Sequence, residues 1–185
     1  GEGPVAALQL AREADGPFVD LPDFCRRVDA RKANKRVVEA LIRSGAMDDF
    51  ALPGEDQNQV RARLMAELPD SLQGAEQAAR SSAAGMGDLF GGVEQGRVEA
   101  PHLRDVAPLS TRERLEGEKD SLGLYLTGHP IEDYLDELKH ICGSDIARLR
   151  ARRGTQLVAG LVVSMRTIRS RRGGDLCFLS IDDRS

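Results

Sequence analysis

Residues 20–48 read DLPDFCRRVDARKANKRVVEALIRSGAMD and contain two helices with their punctuation. Asp20 stands where an N-cap belongs, with Asp23 at the third position, and Leu21, Phe24, Cys25 and Val28 follow at i, i+3, i+4 and i+7. Asn34 is placed to cap a second helix with Val37, Val38, Leu41 and Ile42 on its apolar side, and Gly45 supplies the stop. Short capped helices need a partner for their apolar faces, so a mainly helical unit is expected around this stretch.

The same period extends outward. Upstream, residues 4–14 read as a helix with Pro4 in its first turn, broken by Gly16-Pro17-Phe18. Downstream, residues 56–68 carry Val60, Leu64 and Leu68 at i, i+4 and i+8, and residues 71–82 are helical by propensity. From about residue 84 to 108 periodicity lapses and glycines recur, which reads as a loop. Ser110 with Glu113 forms a capping box, opening a helix with Leu115, Leu122 and Leu126 and the i, i+4 pairs Arg112–Glu116 and Arg114–Glu118. TGHP ends it, and Pro130 starts another helix with Ile131, Tyr134, Leu135, Leu138 and Ile141 on one face.

After Arg153 the period becomes two. QLVAGLVVSMRTI and LCFLSID flank the turn RSRRGGD, a β-hairpin. A lone hairpin is marginal in water, so further strands are expected in a longer parent chain. The opening GEGPVAAL, without an initiator Met, and the ending IDDRS also read as an excised fragment. The expected fold class is mainly α, followed by a β-hairpin. The expected divisions are residues 1–82 (helical), 83–109 (loop), 110–153 (helical connector) and 154–185 (hairpin).

The 185 residues are 41% hydrophobic but only 4% aromatic, without Trp, so the core must come from Leu, Val, Ile and Ala. A net charge of −4 excludes a wholly basic nucleic-acid binder. That total hides a division. Residues 26–43 hold seven Lys or Arg against two acids, residues 148–172 hold eight Arg and no acid, and residues 44–99 hold four Arg against ten acids. Cys25, Cys142 and Cys177 form no CxxC pair, which argues against a zinc ribbon or disulfide framework and suggests buried thiols in a reducing cytoplasm. No signal peptide or membrane-length apolar run is visible, so no membrane partner is expected. No P-loop, G-x-S-x-G or HExxH occurs, so no catalytic or metal-ligating residue is assigned. His129 is expected to bond the turn backbone, and Asp182 and Asp183 to be hairpin-end carboxylates.

One stretch resists a core reading. AAGMGDLFGG, residues 83–92, sets Leu89 and Phe90 between glycines in polar surroundings.

Three stretches, FVDLPDFCRRVDARKANKRVVEALIRSGAMD, ERLEGEKDSLGLYLTGHPIEDY and VAGLVVSMRTIRSRRGGDLCFLSIDDRS, resemble in order and spacing the bacterial DNA polymerase III alpha subunit family, the catalytic subunits of the replicative polymerase. The error-prone paralogue ranks second. A free-standing helix-hairpin-helix plus OB-fold nucleic-acid-binding protein is the alternative from another class.

The resemblance implies the end of the fingers, a clamp-binding region and the start of a truncated OB-fold. The parent would be a DNA-directed DNA polymerase, a nucleotidyltransferase, whose palm and its magnesium lie outside these residues. No cofactor is expected within them. It implies a β sliding clamp bound by Met86, Gly87, Asp88, Leu89 and Phe90, with Met86 where Gln is usual. It implies primer-template duplex contacted by Gly1, Gly3, Arg31, Lys32, Lys35, Arg36 and the turn at Ser44 and Gly45. It further implies single-stranded DNA on the hairpin arginines Arg169, Arg171 and Arg172 (with Arg166 beside them), other replicase subunits, and a cytoplasmic, nucleoid-associated location. Charge alone favours a solvated helix face for residues 31–36; the resemblance puts DNA contact ahead of it.

Overall fold

The computed structural model describes residues 2–83, 106–143, 145–171 and 173–185. They divide into two compact units, residues 1–124 and 125–185. The boundary falls inside the 110–153 segment, because the helix that opens that segment packs into the first unit.

Among the described residues, the first unit holds five α-helices: α1 (Glu2–Asp15), α2 (Leu21–Arg27), α3 (Lys35–Arg43), α4 (Gln57–Ala83) and α5 (Thr111–Leu122). The caps form as expected. Asp20 accepts from the Asp23 amide at 2.7 Å, and Asn34 from the Val37 amide at 3.1 Å. At Ser110 both halves of the capping box close, worth about 1 kcal/mol. The N-terminal half of α4 is the central element, packed on α2 and α3, while α5 lies against α3. Leu21, Phe24, Val28, Val38, Ile42, Val60, Leu64 and Leu68 form the core.

Residues 56–68 and 71–82, read as separate segments, belong to one helix that continues through Pro69. An internal proline costs a helix about 3 kcal/mol. Leu68 before it is in the core, and Leu72 and Ala75 beyond it pack against that core, which keeps the helix continuous. The leucine stripe assigned to α5 is shorter than expected. Leu115 is buried, but Gly123 (φ +80°) ends the helix, leaving Leu122 and Leu126 exposed.

The second unit begins with a 3-10 turn, Pro130–Tyr134, running into α6 (Leu135–Ile141). This replaces the single helix expected there, and its apolar face is only partly used: Ile131 is buried, while Tyr134 and Ile141 are exposed. Strands β1 (Leu161–Arg169) and β2 (Asp175–Asp182) pair antiparallel, closed by a turn with Gly173 and Gly174 at positive φ. A bulge between Val162 and Ser164 interrupts the strict alternation read from the sequence. Met165 is 69% exposed and Phe178 57% exposed, although they lie on opposite faces of the hairpin.

His129 behaves as expected, its Nδ1 accepting from the Ile131 amide at 3.2 Å. The other ring nitrogen, Nε2, lies 3.5 Å from Asp182 Oδ2. Asp183 accepts from the Ile146 amide at 2.7 Å. Of the thiols expected to be buried, Cys25 is buried, but Cys142 is half-buried and Cys177 exposed.

Candidate nucleic-acid interface

The basic segment 26–43 separates into cations that build the fold and cations that face solvent. Arg27 is one of the builders. Its Nη2 donates to the carbonyls of Ala11 and Gly16, both at 2.7 Å, and its Nη1 to Asp23 at 2.9 Å. Its guanidinium also stacks 4.5 Å from the Phe18 ring centroid. Arg27 thus closes the C-terminal end of α1 onto α2.

Arg31, Lys32, Lys35 and Arg36 are exposed and gather around the α2–α3 turn and the first turn of α3. Asp29 shapes that turn by accepting the Arg31 amide at 2.9 Å. This backbone bond, more than the charges of Arg31 and Lys32, holds the Asp29 carboxyl below the usual carboxylate range. Lys35 leans toward Glu39 at 3.8 Å.

Ser44 and Gly45 lie at the other end of α3, about 13 Å away at 1.5 Å per residue. Their amides are engaged within the protein. Ser44 donates to Ala40, Gly45 to Ile42, and Ala46 back to Leu41 at 3.0 Å, while Gly45 takes φ +82°. This is a helix C-cap of the Schellman kind. Any phosphate at this turn would need other donors. Gly3 lies in the first turn of α1. Arg169 ends β1, paired in register with Asp175, and Arg171 is exposed in the hairpin turn. Gly1, Arg172 and the five residues Met86, Gly87, Asp88, Leu89 and Phe90 lie outside the described residues.

Sequence reasoning missed two features. One is a pair of buried arginines on α4. Arg61, 1% exposed, meets Asp48 through two nitrogens at 2.9 and 2.8 Å and Glu118 of α5 at 2.9 Å. Burial would lower its pKa, but the bonds it donates to Asp48 and Glu118 outweigh that and raise it. Glu118 is a fully buried ion-pair member, and it also keeps the expected i, i+4 pair with Arg114, at 3.8 Å. Arg63 similarly engages Glu55 at 2.7 and 2.9 Å and Glu67 at 3.3 Å. The Arg63–Glu67 spacing of four was visible in the sequence; the partners 57 residues apart were not.

The other is a groove of about 710 Å³ between α3 and α5, with Lys35, Arg36, Glu39 and Arg43 on one side and Asp120 and Ser121 on the other. The spacing of Arg36 and Arg43, two helical turns apart, was the available signal for the first side. Among the described residues no group of three or more His, Cys, Asp or Glu is arranged to hold a metal. No helix there is long and apolar enough to cross a membrane.

Comparison with known proteins gives a family match and several relatives. A family described as "Helix-hairpin-helix motif" matches residues 1–60. Along its whole length the chain is 45% identical to the DNA polymerase III subunit alpha of Pseudomonas aeruginosa. It is 39% identical to those of Vibrio cholerae and Escherichia coli, again along its whole length. The chain spans 17% of the first of these relatives and 16% of the other two, about a sixth of their length.

Proposed function

This chain belongs, as a segment, to the family of DNA polymerase III alpha subunits, and from that premise we propose that it tethers a replicative polymerase to its sliding clamp and to primer-template DNA without itself catalysing synthesis. The observation that carries this reading is identity running along the whole chain, with a helix-hairpin-helix match over residues that include Arg31, Lys32, Lys35 and Arg36. Exposed cations on a capped helix suit backbone phosphates, which position a protein without reading sequence. A polymerase that must copy any template needs that kind of contact.

The clamp contact is assigned to Met86–Phe90. Burying Leu89 and Phe90 in a partner pocket contributes about 1.5–3 kcal/mol each. A micromolar complex needs about 8 kcal/mol, so backbone contacts around the pair must supply the remainder. DNA threading both partners raises the effective concentration and lets a modest motif suffice. The hairpin is proposed as the start of an OB-fold that meets single-stranded DNA. Arg166 stands opposite Phe178 in the strand register, a cation beside a stacking ring, which supports it.

Titration with purified sliding clamp tests the central part. Leu89→Ala combined with Phe90→Ala should abolish binding and leave helix content unchanged; undiminished affinity would refute the assignment. Template-dependent nucleotide incorporation by the chain alone should be zero.

A further inference from the structure

We infer that the groove between α3 and α5 seats backbone phosphates of duplex DNA, with Arg43 as its third cation; this rests on the DNA-contact reading above and extends it to the far end of α3. Arg36, Ala40 and Arg43 fall at i, i+4 and i+7, so one face of α3 lines the groove from end to end. Seven residues separate the two arginines, about 10 Å along the axis, so they address different phosphates.

Arg43 is also held. α5 approaches closely at Gly117, where an added Cβ would lie 3.4 Å from Arg43 Cβ and 3.5 Å from Cγ. The stem is therefore fixed against a helix while the residue stays exposed. Its guanidinium has no hydrogen bond or ion pair among the described residues. A cation whose stem is already ordered loses less freedom on meeting a phosphate than one on a mobile stem.

The other charges fix the polarity of the groove. Glu39 is drawn to Lys35, and Asp120 lies on the α5 side. The Ser121 hydroxyl donates to the Gly117 carbonyl at 2.6 Å and so does not donate into the groove. The phosphates therefore follow the α3 side.

The test measures binding of the whole chain to a mixed-sequence primer-template duplex by fluorescence anisotropy across a salt series. Arg43→Gln keeps a stem against Gly117 and removes the charge. It should reduce the slope of log affinity against log salt by about 0.9, so that its deficit against wild type grows about threefold between roughly 200 and 50 mM salt. Arg43→Lys should keep the wild-type slope, whereas a purely structural role for the stem would leave the slope unchanged in both variants. Arg80→Gln, on the exposed part of α4, should leave the slope unchanged. If Lys35→Gln with Arg36→Gln flattens the slope and Arg43→Gln does not, the inference is wrong and the DNA-contact reading stands. If wild type does not bind, or neither variant changes the slope, both fail.

Discussion

At Gly45 a methyl group would stand where Arg61 already is. A Cβ there would clash with Arg61 Nη2 and lie 2.9 Å from Asp48 Oδ2, on a backbone at φ +82°. Gly45→Ala should therefore cost about 2 kcal/mol or more: roughly 1–2 from the left-handed backbone, and further loss from displacing the ion pair. Gly74→Ala, on α4 with nothing within 4 Å, should instead stabilise by about 0.5–1 kcal/mol. Urea denaturation of the two variants checks both signs. The sequence marked Gly45 as a helix stop but carried no sign of what fills the space beside it. Thiols offer another test at this scale. Burial, aided by the Asp20 carboxylate, pushes Cys25 up to about 11. A disulfide reagent at neutral pH should label exposed Cys177 quickly and reach Cys25 only after denaturant is added.

Among the elements, those with local punctuation were legible. Asp20, Asn34 and Ser110 each opened a helix where the side chain could reach its own first turn. What the sequence concealed depends on distant partners: the passage of α4 through Pro69, the burial of Glu118, and the bulge in β1. Because Glu118 is buried against Arg61, Glu118→Ala should destabilise the first unit by about 3–5 kcal/mol. Breaking the exposed Arg112–Glu116 pair should cost at most about 0.5 kcal/mol. Acid tests the second buried arginine. Its bond from Arg63, then the Leu52 amide, holds the Glu55 carboxyl below its ordinary value of 4.5. The unfolded chain thus takes up this proton first. The stabilisation is fully present above the unfolded value and is lost as pH falls through the lower, folded one. Glu55→Gln should flatten the decline of the urea midpoint below about pH 4.5.

For the molecule as a whole, helical class, hairpin and family resemblance could all be read from the chain. The division into units could not, because α5 joins the first unit through Leu115 and Glu118, contacts without a local signature. The candidate interface was half legible for the same reason. Arg31, Lys32, Lys35 and Arg36 are neighbours in sequence, whereas the groove also needs a helix more than seventy residues downstream. Charge counts misled in one respect: Arg27, Arg61 and Arg63 are spent inside the fold and add nothing to the outer field. Duplex affinity should accordingly depend on salt through the exposed cations of α3. Lys35→Gln with Arg36→Gln should lower the slope by about two contacts' worth, near 1.8, in the same anisotropy series.

The Arg61–Glu118 pair also bears on the order of events in folding. The core contacts of α2, α3 and the start of α4 join residues 21–68, whereas this pair bridges 57 positions. Loop-closure entropy favours the nearer set, so the three-helix nucleus should form first and α5 should dock after the rate-limiting barrier. Removing Glu118 should then leave the refolding rate almost unchanged and accelerate unfolding, by about tenfold for each 1.4 kcal/mol lost. Stopped-flow circular dichroism across a urea series would show one limb of the chevron moving while the other stays in place.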